Sequence, residues 1–204
     1  MGFLSSNVSI TRYKVEGRVE EPVIETIYNG LTQNAIVTTN DDISEKTVGW
    51  TSLDTPFDPN FEGSSFLIGT HLVFSLRVDK KTIPPKIVKK HCAMEAAKRL
   101  AESGREYLSR TEKKMIREHV MSVLILRIPS APNIYDLTWD YEDSSLWFFS
   151  NLKSANEELE TLFSRSFNLT LIRLFPYTMA GLTAGLSDKE RDILARLSPT
   201  NFAE

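Results

Sequence analysis

The alternation of apolar and polar positions along the chain predicts several short strands and a few amphipathic helices. In residues 71–78, for example, Leu72, Phe74 and Leu76 occupy every second position, and a period of two is typical of a strand. The same reasoning predicts strands at residues 8–15, 47–53, 66–68, 71–78, 134–141, 145–150 and 169–175, and helices at residues 22–35, 154–167 and 188–197.

Two further consecutive helices are predicted in the middle of the chain. Pro85 suits the first helical turn because the φ angle of proline is already close to the helical value. Gly104 supplies a stop, since glycine adopts the left-handed conformation that often follows a helix. Ser109 and Glu112 have the spacing of a capping box, which predicts that the second helix begins there.

These elements follow the order β-α-β-β-β-α-α-β-β-α-β, with a short helix near the C-terminus. This order predicts an α+β fold, with a mostly antiparallel sheet and helices on one face. We expect three segments: a β-α-β-β-β unit at residues 1–78, a basic helical segment at 79–128, and a hairpin-helix-strand unit with a tail at 129–204. The three segments are expected to form one assembly.

Length and composition favour a folded protein. The chain has 204 residues, of which 41% are hydrophobic, enough for a core that folds unaided. Cys92 is the single cysteine, so neither an internal disulfide nor a thiolate metal site is expected. The first residues lack a signal-peptide pattern, and no apolar run approaches the length of a membrane span. We therefore expect a cytoplasmic protein with no membrane partner.

Positive charge is concentrated in the two central helices. Residues 79–119 contain twelve lysines and arginines against six acids, whereas the whole chain carries a formal charge of −3. A charged run is often only a solvated helix face. The alternative is a basic surface that binds nucleic acid. The net negative charge of the whole chain argues against simple non-specific coating of nucleic acid by the protein.

The helical periodicity separates the two central helices. In the first, Val88, Cys92, Ala96 and Leu100 form a row spaced four residues apart. In the second, an apolar arc lies opposite three cations, Lys113, Lys114 and Arg117. The apolar arc is formed by Met115, Ile116, His119, Val120 and Val123. We therefore expect His119 to be a buried imidazole rather than a ligand.

Sequence signatures of catalysis are hard to find. The phosphate-binding and nucleophile motifs of common enzyme classes are missing, and the three histidines have no metal-ligand spacing. One acidic cluster, Asp136, Asp140, Glu142 and Asp143, has the chemistry to hold Mg²⁺ for a nuclease. Its spacing is better explained by a solvent-facing edge strand that ends in a turn. We expect neither catalytic residues, nor a metal, nor a cofactor, nor a small-molecule substrate.

Four short runs together resemble a known family. They are the run from Arg77 to Pro84, the run from Leu108 to Lys114, the pair Gly49-Trp50, and the hairpin, Ser-Ala pair and helix between Leu146 and Glu158. In this order and spacing they resemble the recombination-associated protein RdgC of bacteria, over roughly residues 1–176. The resemblance is to the N-terminal part of longer members, so the chain is expected to be a short form.

The resemblance implies a nucleoid-associated, cytoplasmic protein that binds DNA without sequence preference. It further implies a ring-shaped homodimer that encloses duplex DNA and limits access of the recombinase. Some members carry the label exonuclease, for which this chain shows no recognisable site. The usual Leu-Pro-Arg-Ala-Phe run appears here as Leu126-Arg-Ile-Pro129.

Eight cations are the predicted DNA contacts, because long basic side chains at a strand end and on exposed helix faces can neutralise phosphates. They are Lys80, Lys81, Lys86, Lys89, Lys90, Lys113, Lys114 and Arg117. Two alternatives stay open: a metal-dependent nuclease that uses the acidic cluster, and a non-catalytic module whose basic helices contact an acidic protein.

Three consecutive aromatic residues predict an assembly. Alternation along a strand sends Phe148 to the face opposite Trp147 and Phe149. Both faces of that strand are then expected to be covered, one by helices and the other by a tail or a second subunit. This pattern predicts a homodimer.

Overall fold

The structure, a computed structural model, describes residues 5–37 and 44–198 of the 204-residue chain. Its helices and strands follow in the order β1 (Thr11–Glu16), α1 (Val23–Gln33), β2 (Lys46–Thr51), β3 (Leu67–Ile68), β4 (His71–Lys80), α2 (Pro85–Ser103), α3 (Arg110–Arg127), β5 (Ala131–Asp140), β6 (Ser145–Phe148), α4 (Lys153–Phe167), β7 (Thr170–Arg173), α5 (Pro176–Thr183) and α6 (Asp188–Arg196). A short 3₁₀ turn, Glu62–Ser64, precedes β3.

The predicted α+β fold and the predicted order of elements are both confirmed. Helix α5 is an addition that the apolar pattern does not predict. The strand expected at residues 169–175 ends at Arg173, and Pro176 then takes the first position of α5. Proline is favoured there because its N–H would have no helical partner in any case.

The strands form one antiparallel sheet in the order β2-β4-β5-β6-β1-β7, with β3 beside β4. In this sheet β1 pairs with β6 and with β7, and β5 pairs with β6. The expectation that the acidic cluster lies on an edge strand is therefore wrong, since β5 runs between β4 and β6. The polar residues of β5 face away from the core on an interior strand, and alternation along one strand cannot tell an interior position from an edge.

Contacts divide the chain into two units, and each unit combines separate stretches. The sheet unit contains the described residues of Met1–Asn34, Trp50–Leu76 and Tyr135–Glu204. The helix-pair unit contains those of Ala35–Gly49 and Arg77–Ile134. Strands β2, β4 and β5 contribute residues to both units.

Aromatic rings form the centre of the sheet unit. Trp139 packs against Phe163 and Phe167 at centroid distances of 4.9 and 5.2 Å, and Trp50 meets Phe74 edge-on at 5.1 Å. Such edge-to-face contacts add to the burial of large rings. The indole N–H of Trp50 also donates a hydrogen bond to Ser166 Oγ at 2.8 Å. Helices α1 and α4 pack beside this cluster.

The helix-pair unit has its own small core. Buried Leu108, Ile116, Val120 and Leu124 pack against partly buried residues of α2. Those residues are Val88, Cys92, Ala96 and Leu100, together with Ile83. The predicted row on the first central helix is therefore confirmed as the packing face of α2.

The apolar arc predicted for α3 is too broad. Only a row spaced four residues apart, Ile116, Val120 and Leu124, is buried. Met115 is 55% exposed, and His119 is also exposed, so the expectation of a buried imidazole is wrong. The reason is that α3 packs against α2, which covers a narrow stripe rather than a wide arc.

The predicted ends of the central helices are confirmed. Gly104 follows α2 with φ 62°, the left-handed conformation that glycine adopts without strain. At the start of α3, the Glu112 carboxylate accepts the N–H of Ser109 at 2.8 Å, and the Glu112 N–H donates to Ser109 Oγ at 3.2 Å. In the part of the chain that the structure describes, no helix combines the length and apolarity needed to cross a bilayer.

Candidate nucleic-acid interface

One groove in the helix-pair unit brings together five of the eight predicted cations. We call it the basic groove, and it has a volume of about 910 Å³. The cations that line it are Lys80, Lys81, Lys89, Lys113 and Arg117, and among the described residues of the lining the one carboxylate is Glu45. In the described part of the lining, five positive charges against one negative charge make this surface electropositive, in a chain whose formal charge is −3.

The first two cations come from the end of β4. Lys80 is the last residue of the strand and is exposed, and Lys81 follows it, half-buried. The backbone N–H of Lys81 donates to the carbonyl of Glu45 at 2.9 Å, which holds this segment in place. Two residues earlier, Asp79 accepts two hydrogen bonds from the Arg77 guanidinium, at 2.7 and 2.6 Å, and both side chains are buried. The two lysines therefore project from a well-anchored strand end.

Helix α2 contributes only one of its three predicted cations to the groove. Lys89 lines it, whereas Lys86 and Lys90 are exposed on other parts of the helix surface. The cause is helical geometry, because residues four apart share a face and Lys86 and Lys90 have that spacing. Lys89 instead lies next to Val88 on the side that faces α3.

Helix α3 divides its three predicted cations in the same way. Lys113 and Arg117, four residues apart, both line the groove. Lys114 does not, and its ammonium lies 3.7 Å from the carboxylate of Glu118, where both side chains are largely exposed. An exposed pair of this kind contributes little to stability.

Four of the five cations of the groove, Lys80, Lys89, Lys113 and Arg117, are available for an external anion. Within residues 5–37 and 44–198, no ion pair engages Lys80, Lys89, Lys113 or Arg117. Nearby like charges repel one another, and each is exposed enough to be hydrated. An anionic ligand that neutralises several of them at once relieves this repulsion and releases their counterions.

The acidic cluster has a different environment. The Asp136 carboxylate accepts a hydrogen bond from Ser75 Oγ at 2.7 Å. Asp140 accepts the N–H groups of Glu142 and Asp143 at 3.1 and 3.0 Å, and its other oxygen lies 3.5 Å from Nδ1 of His71. Asp140 thus holds the turn between β5 and β6. Among the described residues, no three His, Cys, Asp or Glu side chains are grouped so that they could hold a metal ion.

A family model described as "Putative exonuclease, RdgC" matches residues 7–181. This chain belongs to the RdgC family. The match covers most of the 204 residues and confirms the resemblance found in the sequence. The family is linked to recombination. A comparison with curated proteins found no match.

Two of the runs that resemble RdgC now have a physical explanation. At Gly49, a Cβ atom would lie 2.5 Å from both the Cα and the N of Ile36, so only glycine fits there. The run from Leu108 to Lys114 contains a buried leucine, the capping box of α3 and the groove residue Lys113. These two runs therefore combine residues that shape the backbone with one residue, Lys113, that lines the basic groove.

Sequence reasoning missed an ionic cluster in the sheet unit. The Tyr13 hydroxyl hydrogen is shared between Asn156 Oδ1 at 2.6 Å and Glu160 Oε1 at 2.9 Å. The Arg173 guanidinium donates to Glu160 Oε1 at 2.6 Å. Burial and the bond to Glu160 together raise the pKa of Tyr13. No local signal reveals this cluster, because Tyr13 and Asn156 are 143 positions apart.

Trp147 lies on the surface of the sheet unit. Its side chain is 42% exposed, whereas Phe148 and Phe149 are buried. The guanidinium of Arg12 lies 5.7 Å from the centre of the indole ring, a cation–π distance. Strand alternation thus places Trp147 and Phe148 on opposite faces, as expected. Phe149 lies beyond the end of β6 and does not share the exposure of Trp147.

Proposed function

We propose that this RdgC-family protein binds duplex DNA without sequence preference and thereby modulates recombination or replication. The observation that carries the proposal is the basic groove, where cations from β4, α2 and α3 surround one concavity. The mechanism is phosphate neutralisation, with the release of counterions as the source of affinity. Contacts to phosphates carry no sequence information, so all duplexes are expected to bind alike.

The chemistry of the cations supports this proposal. Four of the five are lysines, which bind phosphate as point charges and do not require a fixed orientation. Lys113 and Arg117 project from the side of α3 that borders the groove, while the helix is anchored through Ile116 and Val120. The groove can therefore meet a polyanion without any change in the core.

The acidic cluster supports a non-catalytic role. Asp136 and Asp140 already accept hydrogen bonds, from Ser75 and from the turn N–H groups, and these bonds explain their presence without a metal. The family model carries the description exonuclease, so a metal-dependent nuclease is the second candidate function. The third candidate is a protein-interaction module whose basic helices contact an acidic protein.

Assembly and location form part of the proposal. Trp147 is 42% exposed, and because tryptophan is enriched at protein interfaces, it favours a second subunit over that face of the sheet unit. We propose a homodimer that encloses duplex DNA, limits access of the recombinase and works in the cytoplasm at the nucleoid. A light-scattering mass of one chain at micromolar concentration would contradict the dimer.

The test of DNA binding is a gel shift with two unrelated duplexes at several salt concentrations. Both duplexes are expected to bind equally and to lose affinity steeply as salt rises. Affinity that differs strongly between the two duplexes, or that does not change with salt, would contradict the proposal.

A further inference from the structure

The floor of the basic groove is apolar, and phosphate binding makes no use of it. Six residues that contribute apolar surface to it are Ile83, Val88, Cys92, Ala96, Ile116 and Ile125. Contacts to phosphates require only the cations, whose charges are hydrated by water and screened by salt. Five of these six side chains also belong to the small core between α2 and α3, and phosphate binding does not account for the apolar surface that the set leaves open in the groove.

The size of the groove fits several apolar side chains. Its volume of about 910 Å³ is near the upper end of the roughly 300–1,000 Å³ that is usual for ligand sites. Met121 is 39% exposed, and most of the floor residues are only partly buried. Covering this surface would remove apolar area from water, which is the main favourable term in association.

The charge of the groove determines the charge of its occupant. Three elements place cations around the apolar floor, and Glu45 is the one acid among the lining residues that the structure describes. A neutral apolar segment would leave Lys89, Lys113 and Arg117 partly desolvated and unpaired, which is costly. An occupant that is apolar on one side and acidic on the other satisfies both the floor and the cations.

The backbone of the occupant is also constrained. An extended segment laid on an apolar floor would leave N–H and C=O groups without partners, whereas a helix satisfies its own. Ala93, Ala96 and Ser122 are small lining residues, and small side chains let another helix come close. We propose that the basic groove binds an amphipathic acidic helix of a partner protein, which packs beside α2 and α3 as a third helix.

This partner would compete with DNA. The acidic face of the helix and the phosphates of DNA would use the same cations, among them Lys89, Lys113 and Arg117. Only the helix would use the apolar floor. The two ligands can therefore be separated by variants of the floor, and the proposal stands whether or not DNA binds.

The test uses two matched variants on α2. Ala93 lines the groove, whereas Ala101, two turns further along α2, is an exposed alanine outside the lining. Ala93→Trp fills the groove without a change of charge, and Ala101→Trp places the same side chain on the helix surface away from the groove. The probe is a fluorescent peptide of about 15 residues, long enough to form a helix, with leucines at i, i+3, i+4 and i+7 and glutamates elsewhere. A control peptide has the same composition in scrambled order.

The wild-type protein is expected to bind the amphipathic peptide saturably and the scrambled peptide at least about tenfold more weakly. Ala93→Trp should weaken peptide binding by about tenfold or more, while Ala101→Trp should not. DNA affinity should be equal in both variants, because neither changes a cation. Failure of the peptide to bind, or an equal effect of both variants, would overturn the proposal and leave DNA binding standing.

A second measurement on the unaltered protein does not depend on any variant. Cys92 is the single cysteine of the chain and lines the groove. The amphipathic peptide should slow alkylation of Cys92 by iodoacetamide severalfold, and the scrambled peptide should not. Protection by a fatty acid such as oleate but not by the peptide would instead identify a site for a small anionic amphiphile, and this outcome would overturn the proposed partner.

Discussion

Lys113 and Arg117 lie one turn apart on α3 and line the same groove, whereas Lys114, between them, lies 3.7 Å from Glu118. Three cations that are close in sequence are thus divided by helical geometry into two groups. Only the first group faces the concavity where other elements add positive charge. This division allows the proposed DNA contacts to be tested against a control from the same helix.

The first prediction concerns the DNA contacts. Lys113→Glu with Arg117→Glu should weaken binding to all duplexes alike. If about four cations neutralise phosphates, the slope of log K against log salt should be roughly −4 in the wild type and about −2 in this double variant. Melting temperature should barely change, because both side chains are exposed.

The control for this prediction has the same change of charge. Arg110→Glu with Lys114→Glu alters two exposed cations on α3 that do not line the groove. This variant should keep a slope close to that of the wild type. Equal loss of affinity in the two double variants would show that net charge matters and that the groove does not.

The second prediction concerns catalysis. Asp136→Asn with Asp140→Asn should leave all DNA-related activity unchanged, since an amide oxygen can still accept the bonds from Ser75 and the turn. The measurement is degradation of a labelled duplex with and without Mg²⁺. A Mg²⁺-dependent cleavage that disappears in the folded double variant would instead support a nuclease.

The third prediction concerns the close approach of α1 to α4 in the sheet unit. At Gly30, a Cβ atom would lie 2.6 Å from Cε1 of Phe167 and 2.7 Å from the carbonyl oxygen of Ser166. Gly30→Ala should therefore destabilise the protein, by about 1–3 kcal/mol, despite the better helix propensity of alanine. Urea unfolding measures the change.

Gly181 provides the matched control within a helix. A Cβ atom at Gly181 in α5 would meet no atom within 4 Å. Gly181→Ala should be neutral or slightly stabilising, because alanine is the better helix former. A loss of stability as large as that of Gly30→Ala would show that close packing is not the cause.

The fourth prediction concerns pH and the start of α3. The hydrogen bond from Arg105, at 2.6 Å, and the N–H of Ser109 lower the pKa of Glu112 from 4.5 to about 2. Because the folded pKa is the lower one, the stabilisation is complete above pH 4.5 and is lost as pH falls towards 2. Carboxyl chemical shifts in an NMR titration measure this pKa.

Replacement of the cation tests the cause of that shift. The bond from Arg105 has the largest effect on Glu112, so Arg105→Gln should raise the pKa of Glu112 towards its ordinary value. The start of α3 should then fray at a higher pH than in the wild type. A pKa that stays near 2 in this variant would assign the effect to the capping box alone.

Local signals predicted well what depends on local structure. Gly104 and the pair Ser109 and Glu112 mark helix ends, where a few neighbouring residues satisfy the backbone. The packing row of α2 follows from the helical repeat, which places residues four positions apart on one face of the same helix. The order of elements follows from such local patterns, and the α+β class follows from that order. The structure confirms both.

Features that depend on distant neighbours could not be predicted. The interior position of β5 depends on pairing with β4, about sixty residues away in the chain, as the bond between Ser75 and Asp136 shows. Likewise, the exposure of His119 follows from how much of α3 a neighbour covers. The sequence identified the cations as a set, but only folding divides them between the groove and the outer surface of the helices.

The three tryptophans of the chain occupy different environments within the sheet unit, and this makes intrinsic fluorescence informative. Trp50 and Trp139 are 0% and 1% exposed, whereas Trp147 is 42% exposed. A collisional quencher such as iodide should therefore reach Trp147 while the protein stays folded, and reach the other two only after unfolding. Quenching that declines with rising protein concentration would then report subunit contact over Trp147, and a red shift of the remaining emission would report loss of the aromatic core.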